Sequence, residues 1–398
     1  MYGDAVTAVA ANILLAMLMR QENCINMLFH SVLSLPRSWP VSIRRHAAKV
    51  YCYGGVHTAS GISAVLWYLF FVVLVFRDFV AVNEALGNAV KGLAGVIMCL
   101  LVTLCAASYP TLRAKFHNQW ELSHRFLGWT LVVLIWIQLC CVVASDALKP
   151  ESSSNMGSIL VKTPAFWMLL IISFLLVYPW MRLRKVYLTV EKLSAHAIQV
   201  HVKTKKPIPT CVGISFSRSP LIENHKFATI PNPDKESAFS VIIANNGDWT
   251  HQLINDSPPP FLWTRGIPSL GVARVSKIFR RIVLVATGSG IGPLMSFFNS
   301  HPEWAMRIVW SARTPALSYG KKNMQNVLRA DPKAIILDTS KTSFKEEGMP
   351  DLVRLAYGAY RDFEAEGVVV ISNPKVTKEV VFALESRKVP AYGAIFDS

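Results

Sequence analysis

Charge is scarce in this chain. Asp, Glu, Lys and Arg make up 17% of its 398 residues, and apolar residues 52%. Soluble domains carry about 25% charged residues, so a wholly soluble chain is the wrong starting point. The shortage is uneven: apolar residues crowd the first 180 positions, and the rest has an ordinary globular composition. The seven cysteines form no CxxC pair and no metal-ligand spacing, which excludes a disulfide framework or a zinc module. Most lie in apolar runs, where Cys acts as a small hydrophobe. The start has no basic n-region with a cleavage site, so no secretory signal peptide is expected. Internal repeats and low-complexity tracts are missing too. A chain of this length suits two or three domains.

Acidic residues are the scarcer sign, 25 against 41 basic, for a net charge of +16. The basic residues do not form one stripe, which argues against a nucleic-acid partner. They flank apolar runs instead: Arg37, Arg44, Arg45 and Lys49; Arg113, Lys115 and Arg125; Arg182, Arg184 and Lys185. Such flanks on alternate loops mark the cytosolic ends of membrane spans.

Four apolar segments, 55–77, 92–109, 126–145 and 163–181, approach the ~20 residues a spanning helix needs. The loops 78–91 and 146–162 mix signs, whereas 37–53 and 110–125 are basic. Four spans then place the start and the large C-terminal half in the cytosol. The apolar runs 5–19 and 25–35 are short and read as interfacial helices, with a fifth span as the alternative. The expected division is 1–53 interfacial helices and basic cytosolic segment, 54–182 four-helix transmembrane domain, 183–275 antiparallel β-barrel and 276–398 α/β nucleotide-binding domain. The barrel is expected from closely spaced short strands and turn signals. The α/β domain is expected from apolar strands alternating with helical stretches.

The run Ala286-Thr287-Gly288-Ser289-Gly290-Ile291-Gly292-Pro293 sits between an apolar strand and a helix. Glycines there let the backbone turn tightly and approach a pyrophosphate, with helix N–H donors behind them. With the barrel before it, this turn resembles the ferredoxin-reductase superfamily over 183–398, which pairs a flavin barrel with a nicotinamide-nucleotide domain. The stretch Glu223-Asn-His225-Lys-Phe227-Ala-Thr229 resembles that family's His-Pro-Phe-Ser/Thr flavin motif, with Lys226 for the proline and Ala228 inserted. The resemblance implies that Phe227 packs on the isoalloxazine and that Thr229 hydrogen-bonds near N5.

Gly247-Asp-Trp249-Thr250 is similar to the Gly-x-Trp-Thr stretch of NADPH oxidases and ferric reductases, which opens a helix at the flavin diphosphate. Asn245 stands where those families carry an upstream Arg, and His225 or Lys226 are the candidates to compensate. Ser372-Asn373-Pro374 resembles the family's Cys-Gly-Pro turn near the nicotinamide. Arg313 is a candidate partner for an adenosine 2′-phosphate, and Phe396 a candidate lid over the flavin. These residues imply FAD and NAD(P)H as cofactors.

The runs RRHAAKVYCYGGVH, HNQWELSHRFLGWT, HKFAT, GDWT, ATGSGIGP and ALESRKVPAYGAIFDS together resemble fungal transmembrane flavoproteins and the membrane tail related to adenylate-forming reductases. The expectation is a membrane-anchored NAD(P)H-dependent flavoprotein reductase in the lipid bilayer, passing electrons to an unidentified acceptor. Two other readings stay open. One is a non-catalytic membrane protein that senses NAD(P)H. The other is a reductase with a single haem, since His57 and His124 begin two spans. The ferric-reductase pattern places a second His deeper on each helix. Fourteen residues on from His57 and His124 stand Phe71 and Gln138, which cannot ligate haem in that role.

Overall fold

A computed structural model describes residues 2–150, 152–232, 237–256, 258–341 and 351–394. The chain divides into two units, Met1–Cys24 with Tyr53–Met181, and Ile25–Cys52 with Arg182–Ser398.

The first unit is all helical. It holds α1 (Tyr2–Leu18), α4 (Gly54–Asp78), α5 (Glu84–Ala107), α6 (Pro110–Lys115), α7 (His117–Ala147), α8 (Met156–Lys162) and α9 (Pro164–Met181). Between α1 and α4 in sequence come α2 (Glu22–Leu33), α3 (Val41–Ala47) and a 3-10 turn, Ala48–Tyr53. Among the described residues four helices are long and apolar enough to cross a membrane, ending at Asp78, Ala107, Ala147 and Met181; α1 meets that test only together with α2. Asn83 starts α5 by accepting the Ala85 N–H (2.9 Å), as an N-cap does. The α1 helix packs on α4 and α9, burying Ala5 and Val9 beside Phe71, Leu74 and Leu169. The outer faces are apolar too, with Leu66, Phe70, Val73, Phe76 and Phe174 all exposed.

The second unit begins its β structure with two antiparallel sheets. One has the order β5-β6-β2-β1-β7 and the other β4-β3-β8. Their strands are β1 (Arg184–Lys192), β2 (Ala197–Lys203), β3 (Val212–Phe216), β4 (His225–Ala228), β5 (Ile230–Pro231), β6 (Ala238–Ala244), β7 (Phe261–Thr264) and β8 (Ser269–Leu270). A Ser217–Trp263 bridge joins the sheets at one corner, and Thr229, between β4 and β5, joins them at another. Alternation along β2 sends Ile198, Val200 and Val202 inward, where they meet Phe216, Phe239 and Val241. The helix α10 (Asp248–Asn255) follows β6 and adds Trp249 and Leu253 to this core.

The remainder is a parallel sheet of order β11-β10-β9-β12-β13, made of β9 (Arg281–Thr287), β10 (Ala305–Ala312), β11 (Ile335–Asp338), β12 (Gly367–Ile371) and β13 (Ala391–Gly393). Its helices are α11 (Ile291–Phe298), α12 (Pro315–Ser318), α13 (Lys321–Ala330), α14 (Leu352–Asp362) and α15 (Pro374–Ser386). The central β9 and β12 are fully buried from Ile282 to Ala286 and from Val368 to Val370, as strands covered by helices on both faces must be. An antiparallel β module followed by a doubly wound parallel sheet is the ferredoxin-reductase-like arrangement that the resemblance implied.

The segment Ile25–Cys52 departs from the sequence reading. Its basic residues, read as flanks of a span, also bind the α/β domain. Arg44 is 2% exposed. It grips both Glu366 carboxylate oxygens (2.7 and 2.9 Å) and donates to the carbonyls of Ile278 and Trp39. The Arg37 guanidinium lies 4.4 Å from the Trp304 ring centre, and Tyr392 donates to the Arg45 carbonyl. Asn26 pairs with the β8 edge, donating to Pro268 O and accepting from Leu270 N. Flank arithmetic counts charges; it cannot see that a protein carboxylate already neutralises one.

Candidate functional site

The sheet order reverses between β9 and β12, because β10 lies on one side of β9 and β12 on the other. Ligands in open α/β sheets bind at such a switch point, beyond the carboxyl ends of the strands. The glycine turn follows β9 as a short 3-10 turn, Gly288–Gly290, and leads into α11. Ser372-Asn373-Pro374 follows β12. The two predicted motifs therefore meet, and the Thr287 and Ser372 hydroxyls hydrogen-bond each other. Two glycines are needed for different reasons. Gly288 sits at φ +53°, a conformation that L side chains rarely adopt. At Gly290 a Cβ would come within 2.2 Å of the Ile371 carbonyl oxygen. At Gly292 a Cβ would meet Ile242 and Ile230 at 3.7 and 3.8 Å, ordinary contact distances that do not demand glycine. Pro293 lies in the first turn of α11, where a missing N–H costs nothing.

Two aromatic residues that sequence reasoning passed over support this turn. Trp310 on β10 donates from Nε1 to the Gly288 carbonyl (3.0 Å). Tyr319 packs on Trp310 with ring centres 5.8 Å apart. Its hydroxyl stands 3.0 Å from where a Gly288 Cβ would lie, and it takes a hydrogen bond from the Ser289 backbone. Burial raises its pKa, which that bond only partly offsets. The only sequence signal was an aromatic residue at each end of the WSARTPALSY run.

Arg313 is exposed and directly follows β10. Its turn is strained: Thr314, β-branched, sits at φ +42° and is held by Asp338, whose carboxylate takes the Thr314 N–H (2.8 Å). Hydrogen bonds from Ser340 hold the Asp338 carboxyl below its usual range. Asn373 caps α15 by accepting the Val376 N–H (3.0 Å), with Pro374 at its first position.

The flavin motif is placed differently from its expected role. His225 and Phe227 are two apart on β4 and so share a face, which is laid against Trp249. The ring centres are 4.5 Å (His225) and 5.7 Å (Phe227) from that of the indole. Thr229 is fully buried, and its hydroxyl donates to the Val212 carbonyl (3.1 Å). In this arrangement the Thr229 hydroxyl is turned to the backbone of β3. Thr250 accepts the N–H groups of Asn246 and Gly247 (both 3.0 Å) and donates to the Gly247 carbonyl (2.9 Å), so it caps its own helix. Asp248 adds a carboxylate in the same first turn. Phe396 lies outside the described residues.

Glu223 organises this face. It accepts from Trp249 Nε1 (2.8 Å) and the Arg218 N–H (2.9 Å). Burial raises its pKa, but the contact with His225 and the bonds from Arg218 and Trp249 outweigh this and hold it below the usual range. His225 Nε2 is 3.5 Å from Glu223, an ion-pair spacing too long to count as a firm hydrogen bond. That nitrogen and Arg218 Nε are buried without a hydrogen-bond partner. Arg218 also reaches Gln252 on α10 (3.3 Å), so a cation does stand beside this helix although Asn245 is not one. Two orphaned polar atoms here fit a ligand that offers acceptors, as a flavin and its diphosphate do. Sequence reading missed Arg218 because it belongs to the β3 end, thirty residues before the helix it serves.

In the helical unit, His57 on α4 and His124 on α7 lie with ring centres 6.4 Å apart. Each is anchored through Nδ1, to the Ala16 carbonyl (2.9 Å) and the Ser108 hydroxyl (3.3 Å). Trp120 lies 5.4 Å from His124. Deeper along the helices, Phe71, Tyr68 and Gln138 line a cavity of only ~20 Å³. There Tyr68 donates to Gln138 (2.7 Å), so the deep positions are filled by packing and one hydrogen bond. Among the described residues no group of three or more His, Cys, Asp or Glu side chains is placed to hold a metal ion.

Residues 272–398 match the family model for the adenylate-forming reductase 03009 C-terminal domain. Two curated relatives from Coprinopsis cinerea align over 98% of this chain, adenylate-forming reductase 03009 at 39% identity and adenylate-forming reductase 06235 at 38%. The chain spans 37% of the length of each. Among solved structures it is similar to a flavohemoglobin from Malassezia yamatoensis (TM-score 0.46, 15% identity, 94% of this chain and 99% of that one). It is also similar to a ferredoxin NADP+ reductase from Neisseria gonorrhoeae (TM-score 0.40, 9% identity, 53% and 98%). Over 98% of its length, then, this chain is similar to part of two adenylate-forming reductases of Coprinopsis cinerea.

Proposed function

We propose that the chain is a membrane-anchored, NAD(P)H-dependent flavoprotein oxidoreductase whose reductase module faces the cytosol. The nicotinamide nucleotide would lie in the crevice beyond β9 and β12, and FAD against β4 and α10. The observation that carries the reading is the switch point, where the glycine turn and the Ser372 turn meet through the Thr287 and Ser372 hydroxyls. The names of the relatives, both reductases, agree with it.

FAD, when bound, would supply the hydride acceptor for electron passage to an unidentified acceptor. The chain's own residues bind and position. The glycine turn and the start of α11 would receive the pyrophosphate, with Gly288 and Gly290 allowing its close approach. Arg313 is placed at the end of β10 to take a 2′-phosphate, which its fork suits. Arg218, whose Nε has no hydrogen-bond partner, and His225, beside Glu223, would face the flavin nucleotide. The apolar outer faces of the long helices support the bilayer, because lipid-facing side chains have no reason to be polar.

The test is the absorption spectrum of the detergent-purified chain, before and after NADPH under nitrogen. Flavin bands that bleach support the proposal. A preparation that neither contains nor takes up FAD, yet binds NADPH, leaves a nucleotide-sensing membrane protein. A single haem is a second reading, favoured by the His57–His124 pair. It requires a Soret band in the same spectrum that His124→Ala abolishes.

A further inference from the structure

We propose that a cleft between α3 and the C-terminal end of α15 binds a phosphate-bearing anion of the kind that an acidic membrane lipid carries in its headgroup. The cleft measures about 220 Å³ and is lined by Arg45, His46, Lys49, Glu385, Lys388 and Tyr392. One water needs only ~10–15 Å³ on the same measure. Three cations face one carboxylate, so the cleft carries two net positive charges, His46 aside.

The groups are not equally available. Arg45 reaches toward Glu366 O (3.3 Å) and the Tyr360 hydroxyl (3.4 Å). Lys49 is exposed and paired with Glu385 at 3.0 Å. Such an exposed pair is worth little, ~0–1 kcal/mol, so an anion with more charge can draw Lys49 from it. Lys388 is exposed and held at φ +62°, which fixes the backbone from which it projects. A compact charge on a flexible stem suits phosphate.

Two further observations favour a lipid source. Lys49 lies in the 3-10 turn that runs directly into α4, a helix of span length. Basic clusters next to a span attract acidic headgroups. Phe382 is 74% exposed and lies one turn before Glu385 on α15, which puts an unburied aromatic ring beside the cleft. An aromatic next to basic residues is a typical interfacial anchor.

The experiment uses the full chain in neutral detergent, with native mass spectrometry and thermal shift as readouts. The probes are dioctanoyl phosphatidylserine, dioctanoyl phosphatidylinositol 4-phosphate, inorganic phosphate and, as the neutral control, dioctanoyl phosphatidylcholine. Acidic lipids should bind and the neutral one should not. Lys388→Asn, chosen because Asn tolerates positive φ, and Lys49→Gln should each weaken binding about five-fold, the ~1 kcal/mol of one basic side chain near an acidic surface. Glu385→Gln should tighten it by a similar factor, a gain that damaged folding cannot produce. Inorganic phosphate binding as tightly as the lipids, with the same response to the variants, would support the anion site and assign it a soluble ligand. Equal binding of neutral and acidic lipids, or no response to any of the three variants, overturns the proposal. FAD content is recorded alongside and is independent of the outcome.

Discussion

Two helices in the second unit start from a glycine turn, and they differ in what surrounds their first turns. At α10, Thr250 takes the Asn246 and Gly247 N–H groups, and Asp248 puts a negative charge in the first turn. At α11 no side-chain cap is present and the first turn holds no acidic residue. A helix start with orphan donors and no competing charge is the better phosphate site. The start of α11 carries no competing charge, although Ile291 already donates to Ser289 O and Pro293 has no N–H. The start of α10 has satisfied itself in part, and under the proposed function the attraction for a flavin diphosphate would come from Arg218 and His225. Similar motifs can thus differ in readiness by what the next three side chains do.

The largest effect tests the α11 side. Gly290→Val should abolish NADPH binding, because its Cβ would meet the Ile371 backbone at 2.2 Å. Isothermal titration reads the binding, and the overpacking should also lower stability by about 1–3 kcal/mol. Next, Glu366→Ala leaves Arg44 buried and unpaired, at a cost of about 3–5 kcal/mol, visible as a lower unfolding midpoint of the full chain. If the midpoint is unchanged, segment Ile25–Cys52 does not hold to the α/β domain as described.

On the α10 side, Arg218→Gln should weaken FAD binding by about ten-fold, the worth of a charged hydrogen bond of ~1.5 kcal/mol. Asp248→Asn should tighten it a few-fold by removing a like charge, worth ~0.3–1 kcal/mol. Fluorescence titration of FAD reads both. Unchanged affinity in both variants would place the flavin diphosphate elsewhere. The smallest effect is in acid. Glu223 and Glu366 are held below the usual range, Glu366 because bonds from Arg44 and the Arg280 N–H outweigh its burial. Their stabilisation is complete above the unfolded value of about 4.3 and is lost as pH falls through the lower folded values. Glu366→Gln and Glu223→Gln should each flatten the acid limb of a stability–pH curve.

What was legible in the sequence follows from periodicity and from local turns. Long apolar runs gave the four helices, and alternating and continuous apolar strands gave the two kinds of sheet. The glycine turn could be read because its steric demand falls on consecutive residues. The flavin face could not. Thr229 looked like a ligand, yet its hydroxyl turns to Val212, seventeen residues earlier, at the corner where two sheets join. Arg218 looked like any loop cation, and only the barrel brings it to α10.

The sequence by itself determined the helical and β/α halves, the glycine turn at Gly288–Gly290 and the absence of a deep histidine pair, because each depends on neighbours along the chain. Tertiary structure alone decided three things: the meeting of Thr287 with Ser372, the approach of His57 to His124, and the gripping of Glu366 by Arg44 across more than 300 residues. Each depends on where strands and helices are placed in space, and residue spacing carries no record of that placement.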